Sequence, residues 1–266
     1  MPPVVLLVYT SLSFLLLSAE LTATEVQTNE LSMLSDDGPP HMIAASNSGI
    51  DIDITREILN SMGYKVTLDF MPLARGKSQV QLKYADLFLP TFYQQDSEQL
   101  FYSDAIIEYR PVILSLKKNQ FSLNELSDAD GKKILTFQGA TGYFGEEFVK
   151  LSKGKGYREL ADMSKFPELL LWGRYDLVVL DYYIFYYFLK RYCQSDSIDE
   201  DRHDEAQITK LRYCRQEIEE HNLLLAVSAH VGFNDAKLRN DFNKALERYK
   251  RAKIPQKVIK KYIGSR

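Results

Sequence analysis

The sequence predicts an α/β fold in which sheets are flanked by helices. Three observations carry this expectation. Short apolar or alternating segments take turns along the chain with longer segments of helical period, the pattern of layered α/β structure. Some short segments, Leu177 to Leu180 above all, are apolar throughout, as strands covered on both faces are. The composition, 45% hydrophobic and 26% charged over 266 residues, is enough to bury one large core or two lobes. The same numbers exclude a disordered chain and a small disulfide scaffold.

The elements follow in order. Glu30 to Leu34 reads as a short strand, broken by the polar turn from Ser35 to Pro40. Ile50 to Met62 places Ile50, Ile54, Ile58, Leu59 and Met62 on one helical face and stops at Gly63. Lys65 to Phe70 alternates as a half-buried strand. Leu73 to Lys83 is expected to be a helix, Ala85 to Leu89 a buried strand and Arg110 to Leu116 another strand. A second unit has strands at Lys133 to Phe137 and Leu177 to Leu180, with a loop at Gly139 to Gly142. Its helices are expected at Gly145 to Lys153, Phe166 to Trp172 and Tyr182 to Tyr192. Leu223 to Val227 reads as a strand and Ala236 to Arg251 as an amphipathic helix.

The first residues carry no charged side chain before Glu20. The apolar run from Val4 to Leu17 is about 14 residues, short for a membrane span and suited to a secretory signal peptide. Residues 1–23 are therefore expected to be a signal peptide, cleaved after Ala19 or Ala23; the alternatives are an uncleaved anchor or a buried helix. Export implies an oxidising, periplasmic setting, where Cys193 and Cys214 either pair or stay as two thiols. They flank an acidic excursion. Gln194 to Glu220 holds nine acids against four bases, whereas Lys237 to Arg266 holds eleven bases against two acids. The basic end reads either as a docking surface for an acidic partner or as a solvated helix face. The net charge of −3 offers no global field for nucleic acid.

Catalytic signatures are absent: no His-Glu-x-x-His, no Gly-x-x-x-x-Gly-Lys, no Gly-x-Ser-x-Gly and no Gly-x-Gly-x-x-Gly. The histidines His41, His203, His221 and His230 lack metal-ligand spacing. No cofactor or metal is implied. What remains is a set of polar residues at expected strand ends, where open α/β sheets bind ligands. These are the loop from Asp37 to His41, the segment from Pro90 to Tyr93, the Gln138 to Thr141 turn, and Asp181. The Gly139 to Gly142 turn presents backbone N–H groups to an anion, or is a plain strand-to-helix turn. Asp181 receives a ligand ammonium group, or caps the helix that starts at Tyr182, or does both.

The order of motifs resembles the periplasmic solute-binding proteins of family 3, the amino-acid type. The matching residues are Pro39-Pro40-His41, Gly49 to Asp53, Pro72 to Arg75, Lys83 to Asp86 and Tyr102-Ser103-Asp104. They continue with Gly131 to Ile134, Gln138 to Thr141, Gly173 to Asp176, Asp181, Phe242 to Leu246 and Ile259 to Tyr262. The resemblance implies a type II two-lobed fold that closes around a small solute like a hinge. Lobe 1 would combine 24–115 with 225–266, and lobe 2 would span 116–224, with the acidic excursion at 193–214. It further implies Thr91 and Tyr93 among the lobe 1 contacts, Thr141 at a ligand carboxylate, Asp181 at a ligand ammonium, and His41 in a flanking wall. Family members that bind α-amino acids carry an Arg shortly before the aromatic-Ser pair; Gln94 to Phe101 has none, and Arg75 or Arg110 would have to substitute. The resemblance thus implies a monomeric binding protein, without catalysis, whose partners are a small-molecule solute and an inner-membrane permease or receptor. A sensing protein of the same fold is an alternative. A dehydratase-like enzyme using Asp181 and Glu98 is a further one.

Overall fold

The computed structural model describes residues 29–92, 95–194 and 213–264. The expected signal peptide, Tyr93 and most of the acidic excursion lie outside the described residues.

Alternating strands and helices sort into two sheets. The first is built from β1 (Glu30–Ser35), β2 (Lys65–Phe70), β3 (Leu87–Thr91) and β4 (Phe101–Tyr102), with β11 (Val227–Phe233) between β3 and β4. A short strand, β5 (Ile107–Tyr109), pairs with β11. The order is β2-β1-β3-β11-β4; β1 runs parallel to β2 and β3, and β11 is antiparallel. The second sheet has the order β10-β6-β9-β7-β8, from β6 (Pro111–Leu116), β7 (Ile134–Phe137), β8 (Arg158–Leu160), β9 (Leu177–Asp181) and β10 (Ile218–His221). Its central strands β6 and β9 are buried at every residue, in keeping with the apolar runs Pro111 to Leu114 and Leu177 to Leu180 within them.

Helices cover the faces. In lobe 1 these are α1 (Ile50–Ser61) and α2 (Leu73–Gln81); in lobe 2, α3 (Ala140–Tyr143), α4 (Glu146–Ser152), α5 (Phe166–Leu171) and α6 (Tyr182–Gln194). The chain ends with α7 (Ala236–Arg251) and α8 (Ile254–Ile263). Ile50, Ile54, Ile58 and Leu59 of α1 are fully buried, and each such side chain contributes about 1.5–3 kcal/mol relative to exposure. The α7 start is capped by Asp235, which accepts the Leu238 N–H at 2.6 Å.

The lobes are linked by two crossings, one at Arg110 between β5 and β6 and one at 222–226 between β10 and β11. By sheet membership β6 belongs wholly to lobe 2, so the first crossing precedes the boundary expected at 115/116. α8 adds a third link. Its Tyr262 hydroxyl meets Asp53 of α1 at 2.5 Å, while its backbone oxygens of Lys261 and Ile263 accept from Lys190 of α6 and from Arg215. Cys193 and Cys214 form a disulfide next to these contacts. One apolar cluster runs through Met33, Ile52 and Leu87 in lobe 1 and Leu114, Leu180 and Phe185 in lobe 2. No helix among the described residues is long and apolar enough to cross a membrane.

Two expectations are corrected. The strand read at Ala85 to Leu89 instead covers Leu87 to Thr91. Proline has no N–H and normally ends a central strand, but here the pairing shifts between His230↔Thr91 and Gly232↔Phe88, so a bulge accommodates Pro90. The segment from Leu223 to Ala226 is the second crossing rather than a strand, and the strand begins at Val227.

Candidate functional site

In lobe 1 the parallel strands β1, β2 and β3 end on one edge, and each leads to a polar feature. β1 leads to the loop carrying His41, β2 to the first turn of α2 with Arg75, and β3 to Thr91 and Phe92. In lobe 2 the parallel strands β7 and β9 end at the turn carrying Thr141 and at Asp181. These two edges face each other, because His41 Nε2 lies 3.4 Å from Asp181 Oδ1 across the lobes. The carboxyl ends of both sheets therefore enclose one cleft.

The position of His41 follows from the local chain. Gly49 sits at φ 145°, and a Cβ there would come within 2.2 Å of the His41 carbonyl oxygen, so the close approach requires glycine. That approach lets the Ile50 and Asp51 N–H groups donate to the carbonyls of Pro40 and His41, at 2.8 and 3.0 Å. The first turn of α1 is thereby satisfied by the loop, and the Asp51 side chain is brought against the imidazole. His41 Nδ1 lies 2.8 Å from Asp51 Oδ1, and the Tyr109 hydroxyl donates to Asp51 Oδ2 at 2.8 Å. The imidazole stacks on Tyr109 at 3.8 Å between centroids and meets the Tyr183 edge at 5.7 Å. His41 is 1% exposed and Asp51 fully buried.

Burial pulls the His41 imidazole toward its neutral form. The Asp51 charge and the hydrogen bonds to Asp181 and Asp51 outweigh burial together and raise its pKa to about 9. At neutral pH it is an imidazolium clamped between two carboxylates, one from each lobe. Burial and the Asp51 charge push the Tyr109 hydroxyl well above its usual range, so it stays a donor.

Asp181 does the work of a helix cap. Its Oδ1 accepts the N–H groups of Tyr183 at 2.8 Å and Ile184 at 3.1 Å, and its Oδ2 accepts the Arg110 N–H at 2.6 Å. It thus ties the start of α6 to the first crossing. The Arg110 guanidinium lies over the Tyr182 ring at 4.7 Å.

The turn at Gly139 is already occupied by a carboxylate of the same chain. Glu159 of β8 accepts the Gly139 N–H at 2.9 Å through Oε2 and the Tyr157 hydroxyl at 2.6 Å through Oε1. The Tyr157 hydroxyl first, then the backbone N–H groups of Gly139 and Thr141, hold Glu159 below the usual carboxylate range. The turn is a short helix, α3, rather than the loop expected there. Thr141 is half-buried.

The structure thus brings His41 and Asp181 into contact and puts Arg75, Thr91 and Thr141 on the same facing edges. Thr91 is buried and pairs in register with His230. Arg75 is exposed, with neither a hydrogen bond nor an ion pair from its guanidinium to the described residues. Glu98 is exposed, away from any dry acid pair. Sequence reasoning assigned no role to Asp51, Tyr109, Tyr143 and Glu159, and named Phe92 only within the segment from Pro90 to Tyr93. Asp51 had a signal, an acid set among Ile50, Ile52 and Ile54 on a buried face. Among the described residues no group of three or more His, Cys, Asp or Glu side chains is placed to hold a metal ion.

Residues 31–265 match the bacterial extracellular solute-binding proteins, family 3. The chain belongs to this family. It is a solute-binding protein, and the family is one of binding proteins rather than enzymes. The fold of this family 3 protein is similar to an ancestral cationic amino acid solute-binding protein, at 18% identity over 88% of this chain and 96% of that one, with a TM-score of 0.64. A polar amino acid ABC uptake transporter substrate-binding protein from Streptococcus thermophilus has the same TM-score of 0.64, at 15% identity over 89% of this chain and 87% of that one. A histidine kinase sensor domain with similarity to periplasmic binding proteins aligns at 16% identity, over 88% and 96% of the two chains, with a TM-score of 0.53. At these identities the likeness concerns the fold alone. No curated protein matches the sequence.

Proposed function

We propose that this family 3 protein captures a small polar solute between its lobes in the periplasm and delivers it to an inner-membrane permease. The observation that supports this is the pair of facing strand ends, which meet at His41 and Asp181 and belong to two sheets joined by two short crossings. Arg75, Thr91 and Thr141 line the cleft in this reading, and His41 with Asp181 forms the floor. The protein acts as a monomer, exported by the signal peptide at residues 1–23. The presence of a sensor domain among proteins of this fold supports receptor docking as the second reading.

A thermal-shift screen of the mature protein against amino acids, amines, small carboxylates and short peptides tests capture. A solute at about 100 times its Kd adds roughly 2.7 kcal/mol, a rise of roughly 5–10 °C for a chain of this size. No rise with any class of solute would overturn capture. Uptake of the solute found, compared in cells with and without the gene, then separates delivery from sensing. Unchanged uptake would refute delivery.

A further inference from the structure

We propose that the solute is an organic acid that carries a carboxylate and no ammonium group. This rests on the capture reading above and names the chemical class that the cleft recognises.

An ammonium group has only donors and needs a carboxylate or carbonyl to receive it. The carboxylates at the cleft floor are already engaged by the fold, Asp181 to its full capacity. A carboxylate offers about four acceptor sites, and Asp181 already receives the N–H groups of Arg110, Tyr183 and Ile184 and faces His41 Nε2. Asp51 is fully buried and serves His41 and the Tyr109 hydroxyl. Glu159 serves Tyr157 and Gly139. In the loop before His41, Asp36 accepts the Asp37 N–H and Asp37 accepts the Ala44 N–H. Asp69 lies on the exposed face of the outer strand β2, with Lys65 and Thr67. Diverting any floor carboxylate to a ligand ammonium would uncap α6, strand a buried imidazolium or open the Gly139 turn.

The cations tell the opposite story. His41 is paired twice, and Arg110 is engaged by the Tyr182 ring and the Tyr183 side chain. Among the described residues, Arg75 alone of the arginine and histidine side chains at these strand ends has no hydrogen bond or ion pair from its side chain. It stands in the first turn of α2, which is tied to the end of β1 by the Met71 N–H donating to Ser35 O at 2.8 Å. The next residue, Gly76, packs against Leu34 and Phe88 of the central strands. A planar guanidinium fork there matches one carboxylate. The Thr141 hydroxyl, opposite on lobe 2, makes no hydrogen bond to the described residues. For the body of the solute, Phe92 on lobe 1 and Tyr143 on lobe 2 are each 44% exposed. Phe92 meets Tyr109 edge-on at 5.4 Å, and Tyr143 closes the short helix that carries Thr141, where burial and then the Asp181 charge raise its hydroxyl, so both rings belong to the facing edges. They suit a flat or aliphatic body.

Two matched trios test the class by titration calorimetry and thermal shift. One is 3-phenylpropionate, L-phenylalanine and 2-phenylethylamine; the other is 4-methylpentanoate, L-leucine and 3-methylbutylamine. The acid of at least one trio is expected to bind, its amino acid at least tenfold more weakly, and its amine not at all. Arg75→Met is expected to weaken the acid at least tenfold while leaving the melting temperature of the free protein unchanged, since the exposed guanidinium bonds to none of the described residues. An amino acid or amine binding as tightly as its acid would overturn the class and leave capture standing. No binding by either acid at 10 mM would also overturn it, and capture falls as well only if the broad screen is flat. An acid whose affinity ignores Arg75→Met would overturn the assignment of the anchor.

Discussion

The clearest quantitative consequence of the cleft floor is the loss of stability on deprotonating His41. The imidazole titrates at about 9 in the folded chain against 6.5 without the fold. Because the folded value is the higher one, the extra stability is fully present below pH 6.5. It is lost as the pH rises from there through about 9. The separation corresponds to about 3 kcal/mol. Urea unfolding of the wild type and of His41→Asn, measured at intervals from pH 6 to 9.5, isolates it, because tyrosine and lysine titrations are common to both proteins and cancel. Asparagine cannot be charged and leaves Asp51 and Asp181 without their shared cation, so the variant should be less stable by about 3 kcal/mol at pH 6. The gap should close toward pH 9.5. A gap that stays constant across this range would refute the bridging imidazolium. Since Asp51 belongs to lobe 1 and Asp181 to lobe 2, the same titration should loosen the lobes against each other, which small-angle scattering would register as a larger radius of gyration at high pH.

Two further changes probe the supports of that site. Gly49→Ala places a methyl against the His41 carbonyl at a φ that disfavours side chains, and should cost about 3 kcal/mol and bring the His41 titration back toward its ordinary value, checked by urea unfolding and histidine NMR. Replacing Cys193 and Cys214 together by serine opens a loop with a sequence separation of 21 and should lower stability by about 3 kcal/mol by the loop-entropy relation, read as the melting temperature with and without the bridge.

The layers of the fold were legible because periodicity reports burial. α1, α4, α5 and α7 stand within a few residues of the segments whose apolar spacing announced them, and β9 is where an unbroken apolar run required a strand covered on both faces. The short strands were not legible. β4, β5 and β8 have two or three residues each, too few for any period to show, and exist because longer neighbours offer them hydrogen-bonding edges. The strand through Pro90 was cut short for a sound local reason, and the bulge that overrides it depends on β11, about 140 residues further along the sequence. Tertiary pairing, invisible locally, decided the matter.

The site divides along the same line. His41, Arg75, Thr91, Thr141 and Asp181 follow strand ends, and strand ends can be read from the sequence. Which of their polar atoms remain available cannot, because that depends on partners distant in the chain. Asp181 is 140 residues from His41, and the Arg110 N–H that fills its second oxygen lies 71 residues away. Glu159 carried no motif at all; only the parallel pairing of β7 with β8 sets it beside the Gly139 turn. The distinction matters for recognition. A list of acids and bases at the mouth of a cleft predicts a ligand carrying both charges. Setting aside the groups engaged by the fold leaves, among the described residues, the Arg75 guanidinium, the Thr141 hydroxyl and two exposed rings, and on the proposal made above these select a different molecule from the same residues.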